Sequence, residues 1–301
     1  MKLRTWTALW TIYLVWGSTY LGIKVMVRTM PAFLSAGLRF GLAGAILATV
    51  LALRGRSLRV SRRELAASAA MGATLLTFGV GVVTLAETRI ASSVAAIIAS
   101  SVPLQVVLLR SLARERVSRA TLAGVVAGLC GVALVVVPAS GGGSSLTGLL
   151  IMLSASVSWS LGSFFSRRLP LPADPFVATV WEMLAAGLFL GVLGLAAGEA
   201  ADVHPAAFSG ASLGAFAYLV VAGSLVGFSA YVWLLHHVPI SKVVTHQYVN
   251  PVVAVLLGAA FLSEKLAWTT LLGAVLIVGS VFAVVRQETV PAAEPALEPV
   301  S

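Results

Sequence analysis

The chain has 301 residues, of which 59% are hydrophobic and only 10% charged, and a mean hydropathy of +0.99 lies far above that of soluble domains. That excludes a soluble enzyme with a single anchor and predicts an integral membrane protein. The net charge of +9 would suit a nucleic-acid surface, but the basic residues are confined to short segments between apolar runs, the pattern of membrane orientation.

A helical span takes roughly 20 apolar residues. Taken in chain order, the apolar runs predict ten spans, at 5–26, 31–53, 65–85, 91–110, 118–138, 147–166, 175–197, 210–234, 241–262 and 267–286. The runs are continuous rather than alternating, which argues against transmembrane strands. Lys2 and Arg4 precede the first run as in a signal peptide, yet Trp6, Trp10, Tyr13 and Trp16 fill it and no small-x-small site follows, so it reads as a retained span. Residues 139–146 form a Gly/Ser-rich joint, and 287–301, with three Glu and three Pro, is expected to be a disordered tail. Fifteen of the twenty Lys and Arg residues fall on the side of the N-terminus, four on the other and Arg39 within a span, so both termini are expected in the cytoplasm.

Self-similarity divides the chain. At an offset of 143, Trp16 matches Trp159, Lys24 matches Arg167, Phe33 matches Phe176, Arg39 matches Glu182 and Gly44 matches Gly187; at 148–149, Pro103 matches Pro251, Glu115 matches Glu264 and Gly124 matches Gly273. The units are 5–138 and 147–286, each of five spans. Five is odd, so the second copy enters the membrane from the opposite side, an inverted repeat.

Four segments carry a family resemblance: LVWGSTYLGIKV (14–25), PAFLSAGLRFGLAG (31–44), LAETRIASSVAAIIASSVPL (85–104) and HQYVNPVVAVLLGAAFLSEKL (246–266). In this order they resemble the EamA-type permeases of the drug/metabolite transporter superfamily, over about residues 5 to 286. The resemblance implies two inverted five-helix bundles, a central cavity opened alternately to each side, and export or exchange of small metabolites in the cell membrane. The sequence departs from the family pattern at His246 and Gln247, where an aromatic followed by a small residue is more usual.

Pro103 and Pro251 lie inside spans and free the carbonyls of Ala99 and Gln247. Helix breaks at matched positions of two repeats point to a midplane site. Polar residues crowd both: Ser100, Ser101 and Gln105 near the first, Thr245, His246, Gln247, Tyr248 and Asn250 near the second. A packing kink is the alternative reading. Arg39 and Glu182 are charges within spans, each costing at least roughly 2.5–3.5 kcal/mol at a helix centre, so each should face a cavity or a partner. They are expected to meet, either as a gate or substrate clamp with Glu182 taking a proton, or as a static ion pair.

His246 could change protonation in the neutral range or hydrogen-bond as a neutral ring, whereas His236 and His237 read as interfacial. Trp16, Tyr20, Trp159, Tyr231 and Trp233 offer aromatic surface to a cavity or to the membrane interface, with Ser18 and Ser163 beside the matched tryptophans. The candidate substrate set is therefore Trp16, Ser18, Tyr20, Arg39, Ser101, Gln105, Trp159, Ser163, His246, Gln247, Tyr248 and Asn250. Glu182, Arg39 and His246 are the candidate proton or gating groups. Small-residue spacings at Gly37/Gly41, Gly124/Gly128, Gly187/Gly191 and Gly223/Gly227 predict close helix contacts. Glu115 and Glu264 fall at opposite ends of the bundle, where they can cap or pair with Arg116 and Lys265.

Without a G-x-x-x-x-G-K-[ST] sequence, a secondary transporter is favoured over an ATP-driven one. An intramembrane enzyme would need a catalytic set: no H-E-x-x-H occurs, and the only aspartates, Asp174 and Asp202, lie at or beyond span ends. The single cysteine, Cys130, excludes an internal disulfide, and no Cys/His cluster has zinc spacing. No cofactor or metal is expected. The expected partners are a small-molecule substrate and membrane lipids, with protons as a candidate coupling ion, no nucleic acid, and homodimerisation open. A facilitator, a sensor and a lipid-handling protein share the same composition and stand as alternatives.

Overall fold

The computed structural model describes residues 3–115, 117–139, 145–166, 168–237, 243, 245–265 and 267–289. Among these all regular structure is helical: α1 (Leu3–Met26), α2 (Ala32–Leu53), α3 (Arg62–Ala86), α4 (Ser92–Leu112), α5 (Arg119–Ala139), α6 (Leu146–Ser166), α7 (Pro175–Ala196), α8 (Gly210–Tyr218, Leu219–Val226 and Gly227–His237 in one run), α9 (His246–Leu262) and α10 (Trp268–Thr289). Seven of them, α2, α3, α4, α6, α7, α8 and α10, are long and apolar enough to cross a membrane, and α5 and α9 supply shorter apolar stretches. Of the predicted joint and tail, residues 140–144 and 290–301 lie outside the described residues.

The helix ends follow local chemistry. Ser61 and Glu64 form a reciprocal capping box at the start of α3. The Asp174 carboxylate accepts from Phe176 N at the start of α7, with Pro175 in the first turn where no amide is missed. Gly198, at φ +81°, ends α7 in a conformation that would strain other residues.

Hydrogen bonds tie alternate loops together and define two faces. On the α1–α2 face, Ser209 N donates to Thr29 Oγ1 (3.1 Å), Phe33 N and Leu34 N donate to the Glu199 carboxylate (3.0 and 2.8 Å), and Ser145 N donates to Arg89 O (3.3 Å). On the α2–α3 face, Arg56 pairs with Asp174 (2.7 Å), Arg168 with Glu115 (2.6 Å), and Trp181 Nε1 donates to Leu58 O (3.2 Å). The chain therefore crosses the bundle with each helix.

The helix pairings fall into matched sets. α2 packs along α7 and α5 along α10; α1 lies against α8 and α9, and α6 against α3 and α4. Glycines permit close approach in the α2/α7 and α5/α10 pairs. A Cβ on Gly37 would come within 3.0–3.1 Å of the Gly191 amide and the Gly187 carbonyl, and one on Gly131 within 2.9 Å of the Gly273 carbonyl. Phe40, Leu76, Met183 and Leu190 fill the core beside α2 and α7; Ile97, Leu104, Met152 and Ile277 fill that between α4, α6 and α10. The periphery is apolar as well: Leu38, Leu188, Val275 and Phe282 are more than half exposed. For a chain solvated by lipid that surface is stable, since all helical backbone groups bond internally.

α3 and α8 each contain a π-helical stretch, Gly72–Gly81 and Leu219–Val226, a feature common near functional sites. The two in-span prolines behave differently. α4 breaks at Ser100–Ser101 and restarts with Pro103 in its first turn, whereas α9 runs unbroken through Pro251. The expected break at Pro251 is thus corrected. Pro251 stands only six residues into α9, where one lost backbone bond is tolerated, and Asn250, with its amide nitrogen turned to the carbonyls, donates to His246 O (3.0 Å) and Tyr13 O (3.3 Å).

Candidate functional site

A cavity of about 130 Å³ lies in the middle of the bundle, reached by residues of seven helices. α1 contributes Trp16, Thr19, Tyr20 and Ile23; α2 contributes Arg39 and Phe40; α3 contributes Gly79, Val80 and Val83. Opposite them stand Ala99 and Val102 of α4, Ser156 and Trp159 of α6, Gly223 and Phe228 of α8, and His246, Gln247 and Asn250 of α9. The walls are aromatic and aliphatic with few polar groups, the usual make-up of a small-molecule site.

The matched tryptophans occupy matched niches. Trp16 packs on α8, where Nε1–H donates to Gly223 O (3.2 Å) and a Cβ on Gly227 would overlap the indole nitrogen. Trp159 packs on α3, where a Cβ on Gly79 would come within 2.9 Å of Cε3. The two helices that contain π-helical stretches, α3 and α8, thus each offer a glycine seat to a tryptophan of the other half. Trp16 also meets Phe228, Tyr231 and His246 edge-on or tilted at 5.0–5.4 Å between centroids, forming an aromatic wall.

Arg39 is 3% exposed and lines this cavity. Its Nε–H donates to Ser224 Oγ (3.0 Å) and its guanidinium carbon lies 4.9 Å from the Phe40 ring centroid, but among the described residues Nη1 has no hydrogen-bond partner. Glu182 is partly buried beside α3 and does not line the cavity; its backbone carbonyl abuts Gly72. Among the described residues the expected Arg39–Glu182 ion pair does not form, because α8 supplies the guanidinium with Ser224 instead. His246 Nδ1–H donates to Val243 O (2.8 Å), which fixes the tautomer and leaves Nε2 as an acceptor.

Seven of the twelve candidate substrate residues line the cavity: Trp16, Tyr20, Arg39, Trp159, His246, Gln247 and Asn250. Five do not. Ser101 donates to Ile98 O (2.7 Å) and accepts from Gln105, whose amide nitrogen also donates to Ser156 Oγ (3.0 Å) and whose carbonyl oxygen accepts from Ser160 (3.0 Å). Ser18 donates to Leu14 O (2.6 Å) and contacts Tyr218 OH, Ser163 donates to Trp159 O (2.8 Å), and Tyr248 packs on Phe282. Short hydroxyl side chains on a helix reach their own backbone carbonyls. Trp233 stacks on the exposed His237, away from the cavity, while His236 and Arg116 lie outside the described side chains.

Of the two loop glutamates, expected to cap or to pair with Arg116 and Lys265, Glu264 caps a helix and Glu115 pairs with other arginines, Arg116 lying outside the described residues. Glu264 accepts from the amides and hydroxyls of both Ser92 and Ser93 (2.5–3.0 Å), capping α4 from another part of the chain. Desolvation pushes its carboxyl up, but the four hydrogen bonds outweigh it and hold the group below the usual range. Glu115 accepts from Arg110 (2.8 Å) and Arg168 (2.6 Å), and these bonds hold its carboxyl low. Sequence reasoning missed Ser224, Thr19, Ser156 and Phe228. A helical offset of four joins Ser156 and Ser160 to one face, but nothing local marks Ser224 as the partner of a residue on α2.

Known proteins agree with this geometry. The inner membrane transporter YedA of Escherichia coli K12 is 34% identical over 296 residues, spanning 97% of this chain and 94% of its own. A Salmonella typhimurium protein named "probable amino-acid metabolite efflux pump" is 28% identical over 285 residues, 90% of this chain and 91% of its own. One solved crystal structure shares the fold at a TM-score of 0.64 and 22% identity, covering 96% of this chain and all of the other. The EamA-like transporter family matches residues 5–137 and again 146–286, so the chain belongs to that family and is a membrane transporter.

Proposed function

We propose that the protein is a ten-span secondary transporter, built of two inverted five-helix units, that exports small carboxylate-bearing metabolites of amino-acid type by alternating access. The helix pairings support the inverted units: exchanging α1–α5 with α6–α10 maps α2/α7 and α5/α10 onto themselves, and α1 on α8 and α9 onto α6 on α3 and α4. The family match in each half and the paired tryptophan seats support the same reading. The excess of basic residues on the α2–α3 face supports cytoplasmic termini.

The observation that carries the substrate class is Arg39. A buried guanidinium with an unpartnered Nη1 in a largely apolar cavity awaits an anion, and a carboxylate fits its fork. The aromatic wall of Trp16, Phe228 and Tyr231 suits the apolar part of an amphipathic solute. The Salmonella relative's name supports amino-acid metabolites as the class. Reconstituted protein should exchange labelled amino acids in counterflow and not their carboxamides, and Arg39→Gln should remove that preference. Equal flux of acids and amides would end the carboxylate reading, whereas lipid flipping without solute flux would favour a lipid-handling protein.

A further inference from the structure

Glu87 stands at the end of α3, one helical turn beyond the cavity-lining Val83. Tyr20 and Val83 line the cavity, and one helical turn beyond each, toward the α1–α2 face, stand Lys24 and Glu87. Glu87 is fully buried, and neither carboxylate oxygen has a hydrogen-bond partner among the described residues. The one nearby ammonium is engaged with the backbone: Lys24 Nζ donates to the carbonyl oxygens of Glu87 (2.5 Å) and Ile90 (2.8 Å), closing the end of α3. The other groups bearing on the site are Tyr20 of α1, Arg28 just after that helix and Glu264 from the loop after α9, while Arg89 follows two residues on. Glu264 is committed to Ser92 and Ser93.

An ionised carboxylate in this position would lack both donor and water, a state that costs several kcal/mol and that a buried acid avoids by protonation. Burial accordingly pushes the Glu87 carboxyl well above the usual carboxylate range, against the opposing pull of Lys24.

We propose that Glu87 is the proton-binding group of this transporter, taking up one proton from the α1–α2 side each time that face closes over it. The proposal rests on the transport reading above. When the face is open, water reaches the carboxyl and it ionises; closure removes the water, so only the protonated form is stable there. The proton adds to a carboxylate oxygen and later leaves to water in the cavity, past Tyr20 and Val83, and no other bond changes.

Two measurements on reconstituted protein test it. The infrared carbonyl band of a protonated carboxyl should be present at neutral pH in Glu182→Gln, and absent when Glu87→Gln is added to that variant. A band that persists in the double variant overturns the proposal. For flux, a pH gradient should drive accumulation of labelled amino acids in wild type, and Glu87→Gln should lose about tenfold of it while gradient-free counterflow continues. Glu87→Ala serves the same comparison if the amide variant does not insert. Accumulation in Glu87→Gln equal to wild type, wild-type flux indifferent to pH, or drive by a sodium gradient instead would each overturn it and leave transport standing. Absent counterflow in wild type would reject transport itself, and the coupling role with it.

Discussion

α4 and α9 hold corresponding places in the two halves and carry corresponding prolines, yet they direct their polar side chains to different tasks. In α4, Ser100 and Ser101 donate to Ile97 O and Ile98 O, and Gln105 is absorbed by Ser101, Ser156 and Ser160. The chain breaks there, and its own hydroxyls repair the break. In α9 the helix continues through Pro251; Asn250 and one ring nitrogen of His246 serve the backbone, and Gln247 and the other His246 nitrogen are left to the cavity. The first half thus contributes structure and the Arg39 charge, and the second contributes neutral polar groups. A helix interruption locates a site, but recognition depends on which polar groups the interruption leaves unsatisfied.

The largest test of this division removes the charge. Arg39→Gln should cut counterflow of amino acids about a hundredfold, because losing one partner of a buried charged contact costs roughly 2–5 kcal/mol. Arg39→Lys should restore only part of it, since an ammonium lacks the planar fork. The corresponding change in the second half, Glu182→Gln, should leave counterflow unaltered. Equal losses in both variants would show that the halves share the site after all.

The next test sets α9 against α4. His246→Ala should raise the half-saturating concentration about tenfold, for a hydrogen bond worth about 1 kcal/mol plus the aromatic contacts on Trp16 and Tyr231. Gln105→Ala should leave that concentration unchanged and instead lower thermal stability by about 1–3 kcal/mol, the cost of hydroxyls left unpaired. A change in apparent affinity with Gln105→Ala and none with His246→Ala would reverse the assignment.

The tryptophan seats should respond unequally as well. Gly227→Ala would force Trp16 off α8 and out of the aromatic wall, while Gly79→Ala meets only the edge of Trp159. Reduced transport should therefore follow the first more than the second, with intrinsic tryptophan fluorescence reporting the displacement. Similar losses from both would make the two seats functionally equivalent.

These contrasts also explain what the sequence could and could not reveal. Helix limits were legible because punctuation is local: Pro31 precedes α2, Asp174–Pro175 opens α7 and Ser61 with Glu64 opens α3. Trp16 and Trp159 were legible through their match across the repeat, and both line the cavity. Side-chain direction was not. Ser18, Ser101 and Ser163 have the right chemistry but reach only their own helix carbonyls among acceptors on the backbone, and Gln105 turns to neighbouring hydroxyls. Arg39 was found as a buried charge, but its partner was misassigned because the repeat match favoured Glu182 over a serine on α8. Glu87 resembles an ordinary charged helix end in sequence; only the lysine bonding to its main chain and the burial of its carboxyl set it apart.

The smallest expected effect concerns the loop glutamates, which differ between the halves as the helices do. Glu264 binds four donors at the start of α4, while Glu115 binds two arginines. A carboxyl held below its ordinary value adds stability above the unfolded value of about 4.3 and loses it as pH falls through the folded value. Wild-type thermal midpoints should therefore decline on acidification below about pH 4, and Glu264→Gln should lower the midpoint at neutral pH while flattening this decline. Glu115→Gln should change the midpoint less, because its partners are 32–44% exposed and solvent-screened pairs contribute little. If Glu115→Gln were the more damaging of the two, the four-donor cap on α4 would not be the stronger tie.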